Sequence, residues 1–361
     1  MSDAKPVLIT GGAGFIGSNL ADRLAGEGHV VRVYDALSRA GTERNLAWLQ
    51  ARHGERIEFV RADIRDGDRL KTAAADVAAV FHLAAQVAVT TSMTDPRADH
   101  DINIGGTFNL LEALRLRGEA VPLVFASTNK VYGDLADLAF ERAGDAYVPV
   151  DAEVRAHGIS EARPLDFHTP YGVSKGAADQ YVLDYARSFG LPACVIRMSC
   201  IYGQRQMGTE DQGWVAHFLI RALEGRPITL YGDGYQVRDI LDVGDAVEVY
   251  VRAWRSIDRV AGRALNLGGG PANAVSLRQL IAYMGELVGR DVDVSFSDWR
   301  AGDQRYFVAD ARAAEAALEL APRRDWREGV ARLAAWLAEE RRLNLPFAPV
   351  PQAPMLQASA S

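Results

Sequence analysis

A tyrosine and a lysine lie four positions apart in the segment Tyr171-Gly172-Val173-Ser174-Lys175. If the segment is helical, this spacing places both side chains on one face of the helix. The pKa of an unperturbed tyrosine is about 10, and a neighbouring cation favours the phenolate. A phenolate can take the proton of a substrate hydroxyl while hydride leaves the same carbon. Because such pairs are common by chance, this interpretation requires a dinucleotide site elsewhere in the chain.

A glycine-rich segment at residues 10–17 predicts such a site. It follows a short apolar run and precedes a stretch with helical periodicity, so it joins a strand to a helix. The glycines permit a tight turn, a close approach to a pyrophosphate, and close packing of helix on sheet. The helix N-terminus then presents free N–H groups to the phosphates. The predicted cofactor-binding residues here are Gly11, Gly14, Phe15, Ile16 and Gly17.

An aspartate, Asp35, closes the second predicted strand after this segment. A carboxylate at that position accepts hydrogen bonds from a ribose diol and repels a 2′-phosphate. It therefore favours NAD over NADP as the cofactor, although the nearby Arg39 could weaken the preference. A glycine turn with an ordinary aspartate at the end of a strand is the alternative.

Short apolar runs that alternate with helical periodicity predict an α/β Rossmann fold, a doubly wound parallel sheet. The predicted strands are 7–10, 30–34, 57–60, 79–83, 123–126 and 193–197, and a helix begins near Asn103. Further helices are expected near 276–288 and 325–342. We assign 1–190 to an NAD-binding domain to which a later segment, about 235–260, returns. Residues 191–345 would form mainly a smaller α/β substrate-binding lobe, and 346–361 a disordered tail.

The charge and composition of the chain argue against several classes of binding partner. A formal net charge of −7 argues against nucleic acid, whose binding surfaces are usually basic. The two cysteines show no disulfide or zinc spacing, and we predict no metal site. No apolar run approaches the roughly 20 residues of a membrane span, and the N-terminus resembles no signal peptide. We expect a cytoplasmic protein without a membrane partner.

Taken together, these residues resemble the extended short-chain dehydrogenase/reductase family, in its nucleotide-sugar branch. The resemblance runs from about Val7 to about Leu343. Further matching segments are Asp63-Ile64, His82-Leu83-Ala84-Ala85, Asn103 with Gly106-Thr107, Asn109–Ala113 and Val237-Arg238-Asp239. The resemblance implies an enzyme that uses NAD and acts on a nucleotide-diphosphate sugar.

The resemblance also implies roles for individual residues. Asp63 and Ile64 would flank the adenine, and the ribose and nicotinamide would be lined by Ala84, Gln86, Asn103 and Ser127. The other expected cofactor contacts are Ser38, Arg39 and Leu83. Thr128, at the end of a predicted strand, would join Tyr171 and Lys175 as the catalytic set. Arg238 and Arg305 would hold the diphosphate, since a guanidinium binds phosphate oxygens in pairs. The other implied substrate contacts are Thr90, Asn129, His168, Ser199 and Trp214.

Several of these roles have structural alternatives. His168 could cap the helix that carries Tyr171, and Trp214 could be an aromatic residue that packs a helix. Arg238 could form an ion pair with Asp239. His82 is more consistent with core packing than with chemistry.

Within the branch, the segments 127–134, 165–172, 211–215 and 303–305 resemble the subfamily of 2-epimerases that act on CDP-paratose and CDP-tyvelose. Related 4,6-dehydratases carry an Asp-Glu pair after the catalytic threonine, and related decarboxylases carry a glutamate at the second of these two positions. Here these positions hold Asn129 and Lys130, so elimination and decarboxylation are disfavoured and a redox isomerisation remains. Cys200 departs from the subfamily, in which the 2-epimerases carry serine at this position. A thiol is a weaker hydrogen-bond donor than the serine hydroxyl, so the substrate contacts of this segment could differ.

Three other functions stay open at this point. A UDP-sugar 4-epimerase would use the same threonine, tyrosine and lysine, whereas a non-catalytic NAD-binding sensor would not need them. A dehydrogenase with net oxidation would have to exchange its cofactor and would accumulate NADH. The resemblance further implies a homodimer or homotetramer, formed by the helix near Asn103 and the helix that carries Tyr171. The apolar side chains that could form this interface are Leu110, Leu111, Leu114, Tyr181, Val182 and Tyr185, unless they face their own core.

Overall fold

The structure is a computed structural model and describes residues 5–343, so the tail predicted at 346–361 lies outside the described residues. The strands are β1 Val7–Thr10, β2 Val31–Asp35, β3 Ile57–Arg61, β4 Ala79–His82, β5 Leu123–Thr128, β6 Phe140–Ala143, β7 Ala146–Pro149, β8 Ala193–Met198, β9 Cys200–Tyr202, β10 Ile228–Tyr231, β11 Val237–Asp242, β12 Ala264–Leu267, β13 Ala274–Ser276, β14 Val294–Ser297 and β15 Tyr306–Phe307. The helices are α1 Phe15–Gly26, α2 Thr42–His53, α3 Gly67–Ala73, α4 Val89–Thr94, α5 Pro96–His100, α6 Gly106–Leu116, α7 Ala152–His157, α8 Thr169–Phe189, α9 Trp214–Glu224, α10 Val243–Arg255, α11 Ile257–Val260, α12 Leu277–Val288, α13 Arg312–Leu318 and α14 Trp326–Arg341.

Seven parallel strands form the main sheet in the order β12-β8-β5-β4-β1-β2-β3. Apolar clusters cover both faces of this sheet, one with α1 and α10 and the other with α6 and α8. Double coverage explains why β1, β4 and β5 are buried at every position, as parallel strands usually are. The predicted doubly wound α/β fold is confirmed. The strand order reverses at β1, and in such folds the ligand crevice lies beyond the carboxyl ends of the strands there.

A smaller lobe follows β8. In it, β11 pairs with β9 and β15 in parallel and with β13 antiparallel. The helices α9, α12 and α14 pack around one apolar cluster beside this sheet, and α12 and α14 are the helices expected near 276–288 and 325–342. Between β11 and β13 the chain returns to the main sheet, since α10 packs on the same core as α1 and β12 pairs with β8. The domain limits drawn from the sequence remain predictions.

The helix expected from Asn103 begins irregularly. Residues Asp101–Gly105 form a π-helical turn, and regular α-helix starts only at Gly106. A Cβ at Gly106 would lie 2.5 Å from Cγ2 of Ile64, so glycine lets the helix lie close to the loop after β3. Single π-helical turns are frequent at functional sites, and this one carries Asn103.

Most residues considered for a subunit interface face the chain's own core. Leu110, Leu111, Leu114 and Val182 are at most 1% exposed, and Tyr185 is 5% exposed. Tyr181 is the exception, at 43% exposed. Within residues 5–343, no helix combines the length and hydropathy that crossing a bilayer requires.

Candidate active site

The glycine-rich loop turns sharply between β1 and α1. Gly11 has φ +70°, and a Cβ there would lie 2.7 Å from the backbone nitrogen of Ala84. A Cβ at Gly17 would lie 2.2 Å from the carbonyl oxygen of Gly11. Gly14 occupies the N-cap of α1 without a side-chain cap. The first-turn N–H groups, at Phe15 and Ile16, are therefore available to an anionic ligand.

Asp35 stands beside this loop at the end of β2. Its carboxylate accepts hydrogen bonds from the backbone nitrogens of Ala13, at 3.0 Å, and Leu37, at 2.8 Å. Burial raises the pKa of this half-buried carboxyl. Ser38 and Arg39 follow in an exposed stretch. The uncapped helix end and the adjoining carboxylate fit the phosphates and the ribose diol of NAD.

The segments after β3 and β4 continue the crevice. Asp63 forms an ion pair with Arg65 at 2.7 Å, and Ile64 is buried against the start of α6. After β4 come Leu83, Ala84 and Gln86. The amide side chain of Asn103 fixes this segment, because it accepts from the nitrogen of Gln86 at 2.9 Å and donates to its carbonyl oxygen at 3.0 Å.

Tyr171 and Lys175 lie on α8 against the end of β5. The Lys175 ammonium donates to the carbonyl oxygen of Ala126 at 2.6 Å and lies 4.3 Å from the Phe125 ring centroid. The hydroxyl of Thr128, the last residue of β5, lies beside the Tyr171 phenol and lowers its pKa, and it donates to the side-chain oxygen of Asn129 at 3.3 Å. The structure thus brings together the three residues that the sequence predicted as catalytic.

Burial opposes charge on both members of this pair. It raises the pKa of Tyr171 to about 12, and the Thr128 hydroxyl acts in the opposite direction. Burial also lowers the pKa of Lys175 to about 8, against the charges of Asp179 and Asp99. Thr128 is therefore the chain's own group that favours the phenolate.

Two buried carboxylates behind the pair were missed in the sequence. Asp99, fully buried, accepts from the Ser174 hydroxyl and, at 2.8 Å, from the Gln86 amide. Asp179 binds Arg197 through two contacts of 2.9 Å and accepts from the Ser127 hydroxyl at 2.7 Å. The available signal was an arginine inside the apolar strand β8, which needs a buried counter-charge.

His82 is part of the core, as the sequence suggested. Its Nδ1 lies 2.6 Å from the Thr10 hydroxyl and its Nε2 lies 3.0 Å from the Thr107 hydroxyl. Burial lowers the pKa of this imidazole to about 3, so the ring is neutral.

Arg238 lies in β11, on the substrate side of the crevice. It is 7% exposed and pairs with Asp303 at 2.6 Å. The considered ion pair with Asp239 was wrong. That carboxylate instead accepts from the Ser199 hydroxyl and from the backbone nitrogens of Gly270 and Ala309, at 3.0 Å each.

The two residues after Thr128 hold the loop that contains Asp303. Asn129 donates to the side-chain oxygen of Gln304 at 3.2 Å, and Lys130 donates to the carbonyl oxygen of Gly302 at 2.9 Å. Lys130 also lies 4.0 Å from Asp303. Lys130 therefore connects the end of β5 to the loop that contains Asp303.

The remaining predicted substrate contacts are spread around this loop. Trp214 begins α9, donates its indole N–H to the Cys200 sulfur at 3.3 Å and packs on Phe218. Thr90 has a buried hydroxyl without a partner in the described part of the chain. Arg305 is exposed, with its guanidinium 5.7 Å from the Tyr147 ring centroid.

His168 occupies the N-cap of α8, but its side chain makes no capping hydrogen bond. The imidazole instead lies 3.1 Å from Asp166 and 3.5 Å from Asp134. The structure also places Arg300, which the sequence analysis did not select, 3.7 Å over the Tyr231 ring.

Comparison with known proteins identifies the family of this chain. A family model described as the NAD dependent epimerase/dehydratase family matches residues 7–268. The chain is 43% identical over 338 residues to the CDP-paratose 2-epimerase of Salmonella typhi. The matched residues cover 91% of this chain and 98% of that protein. The UDP-glucose 4-epimerase of Thermotoga maritima, solved with UDP-glucose, superposes with a TM-score of 0.80 at 29% identity, over 93% of this chain and 99% of that one. The UDP-glucose 4-epimerase of Thermus thermophilus, solved with NAD, gives 0.76 at 31% identity, over 92% and 98%. The chain therefore belongs to the NAD dependent epimerase/dehydratase family.

Proposed function

We propose that this chain is a nucleotide-sugar 2-epimerase with a CDP-sugar of the paratose or tyvelose type as its substrate. The observation that carries the proposal is the identity and bonding of Asn129 and Lys130. Their side chains hold Gln304 and Gly302 and do not form the acid–base pair that elimination of water requires. The CDP-paratose 2-epimerase of Salmonella typhi, matched over nearly its full length, supports the same assignment.

The glycine-rich loop and Asp35 would hold the cofactor, with Asn103 and Gln86 beside the nicotinamide. When bound, NAD supplies the hydride acceptor and donor at C2 of the sugar. Because the cofactor is regenerated in each turnover, the chain has no need to exchange it.

Residues of the chain would transfer the proton of the C2 hydroxyl. Tyr171 takes the proton of the C2 hydroxyl and later returns it. The Thr128 hydroxyl favours the charged phenol oxygen, and Lys175, on the same helix, would add a positive charge. Asp99 and Asp179 favour the charged form of Lys175. Because the hydrogen of C2 would leave and return as hydride on NAD, the sugar carbon would exchange no hydrogen with solvent.

Epimerisation requires that the sugar present its other face while the nucleotide stays bound. Arg238 is the buried cation placed to anchor the diphosphate, and its partner Asp303 belongs to the loop that Lys130 and Asn129 hold. A diphosphate would compete with Asp303 for this guanidinium, because both present paired oxygens. The role of Arg305 as a second phosphate ligand remains a prediction.

We also propose that the protein is a cytoplasmic homodimer or homotetramer that associates through α6 and α8. Phe108 and Tyr181 are each 43% exposed on these helices, and their rings lie 5.9 Å apart. Val173 and Phe189, at 46% and 54% exposed, extend the apolar face. Tyr181→Asp should therefore yield monomers in light scattering, and an unchanged mass would contradict this interface.

The decisive test of the function is incubation with CDP-, UDP-, GDP- and dTDP-sugars in deuterated water, with products read by NMR. We expect inversion at C2 without deuterium at carbon. Inversion at C4 would instead assign the chain to the 4-epimerases, the activity named for both solved relatives. Deuterium at carbon would reject hydride return, and no turnover with NAD bound would indicate a sensor.

A further inference from the structure

A short segment of the second lobe lies against the cofactor-binding side of the crevice. We call residues 204–207 the strap; it follows β9 and precedes α9. The side-chain amide of Asn19, on α1, donates to the carbonyl oxygen of Gln204 at 3.0 Å. The strap is thus bonded to the helix whose N-terminus faces the phosphates.

A second asparagine joins the strap to the glycine-rich loop itself. Asn45, on α2, is 2% exposed. Its amide donates to the carbonyl oxygens of Arg205 in the strap and of Ala13 in the loop, at 3.2 Å each. One buried side chain therefore couples the strap to the backbone that approaches the pyrophosphate.

The other end of the strap meets the loop after β2. A Cβ at Gly41 would lie 2.6 Å from Cγ of Met207, so the two segments are in close contact. Gly41 has φ +91°, which glycine adopts without strain. The strap therefore reaches from the phosphate-binding loop to the loop that follows Asp35.

Arg205, in the strap, contacts one helix of each lobe. Its guanidinium lies 4.0 Å from the Trp48 ring centroid on α2 and 5.5 Å from the Trp336 ring centroid on α14. Arg44 and Glu340 pair between the same two helices. Arg205 itself has φ +69°, a conformation that persists in non-glycine residues only where the surroundings hold it.

We propose that the strap retains NAD between turnovers and that Arg205 is the positioning residue that keeps it closed. The proposal rests on the proposed function, in which the cofactor is regenerated and has no need to leave. Opening the strap would separate a cation from two aromatic faces, so the contacts of Arg205 slow cofactor release. They do not touch the proton-transfer residues.

The test compares NAD release from the purified wild-type protein, Arg205→Ala and the matched control Arg205→Lys, which keeps the cation. Bound NAD would be measured after gel filtration, and its release followed after dilution in the absence of substrate. We expect release from Arg205→Ala to be about tenfold faster, a change of ~1.4 kcal/mol, with a smaller change for Arg205→Lys. Added NAD should restore the activity that Arg205→Ala loses on gel filtration.

Release at the wild-type rate from a folded Arg205→Ala protein would overturn the proposal. If that variant does not fold, Trp48→Leu carries the test, because Trp48 is only partly buried. Release from it at the wild-type rate would equally overturn the proposal, as would a wild-type protein that loses NAD on gel filtration. Since no substrate is present, failure of the epimerase assay would leave this result unaffected.

Discussion

The effect of the Thr128 hydroxyl on Tyr171 predicts how the activity depends on pH. Both side chains are almost completely buried, at 7% and 9% exposed. Burial raises the pKa of Tyr171 to about 12, and the Thr128 hydroxyl is the group that lowers it. Thr128→Val removes the hydroxyl and keeps the shape of the side chain. The phenolate then loses a hydrogen bond in a site where water cannot replace it.

A hydrogen bond to a charged group contributes about 1.5–3 kcal/mol. Since 1.36 kcal/mol corresponds to one pH unit, the apparent pKa of the phenol should rise by about 1–2 in Thr128→Val. The phenolate is the active form, so activity increases with pH and a higher pKa moves the acid limb to higher pH. At neutral pH we expect kcat to fall by roughly 10- to 100-fold.

The assay is the pH dependence of kcat for the wild type, Thr128→Val and Thr128→Ser, which keeps the hydroxyl. It should cover pH 6 to 8, where activity should rise with pH in all three proteins and Thr128→Val should be the slowest at every pH. Above that range the charge of Lys175 is lost, because burial lowers its pKa to about 8. Thr128 also accepts from the nitrogen of Lys130 at 3.2 Å, so Thr128→Val should unfold at a slightly lower temperature. An acid limb at the same pH in all three proteins would refute the reasoning.

Three further predictions concern stability and cofactor binding. Asp179→Asn should lower the free energy of unfolding in urea by about 3–5 kcal/mol, because it leaves Arg197 buried without its counter-charge. Gly17→Ala should abolish NAD binding, measured by titration, because its Cβ would overlap the carbonyl oxygen of Gly11 at 2.2 Å. Asp35→Asn should weaken NAD binding by roughly 10-fold or more and NADP binding by less, because it removes the charge that repels a 2′-phosphate.

Two of these predictions have a matched control in the chain. Gly26→Ala changes the same helix at a position where a Cβ meets nothing within 4 Å, and it should bind NAD normally. Removing the exposed ion pair of Arg97 with Asp101 should leave the free energy of unfolding almost unchanged, because solvent screens both charges. An equal loss at the buried and exposed pairs would contradict the argument from burial. An unaltered ratio of NAD to NADP affinity in Asp35→Asn would contradict the role of its charge.

The sheet was predictable because its signals are local. Every strand proposed in the sequence as far as 193–197 is present, with ends that differ by two residues or fewer, since buried parallel strands read as continuous apolar runs. The placement of Tyr171 and Lys175 was equally local, because four positions on one helix fix their common face. Local periodicity does not distinguish a π-helical turn from an α-helical one, and so the start of the helix at Asn103 was missed.

The partners of the residues on the substrate side of the site could not be predicted, because they lie far away in the sequence. Arg238 has a neighbouring aspartate, yet its partner is Asp303, which the parallel pairing of β11 with β15 brings close. The neighbour, Asp239, faces backbone nitrogens instead. Asp99 gave no local signal either, since it resembles other acidic residues of a short helix until the fold buries it against Ser174. Such pairings follow from the register of the second lobe, which the sequence pattern does not specify.

The edge position of β12 has a consequence for how the chain acquires its structure. The Rossmann sheet needs a strand that is synthesised only after β9, α9, β10 and β11 of the other lobe. A nascent or truncated chain that ends before residue 243 would lack α10, and the apolar surface of Phe81 that packs on Tyr250 would be exposed. The NAD-binding core therefore cannot close until part of the second lobe has been synthesised. Separate expression of the NAD-binding half should give an aggregating fragment, and the inserted lobe is part of the folding unit as well as of the site.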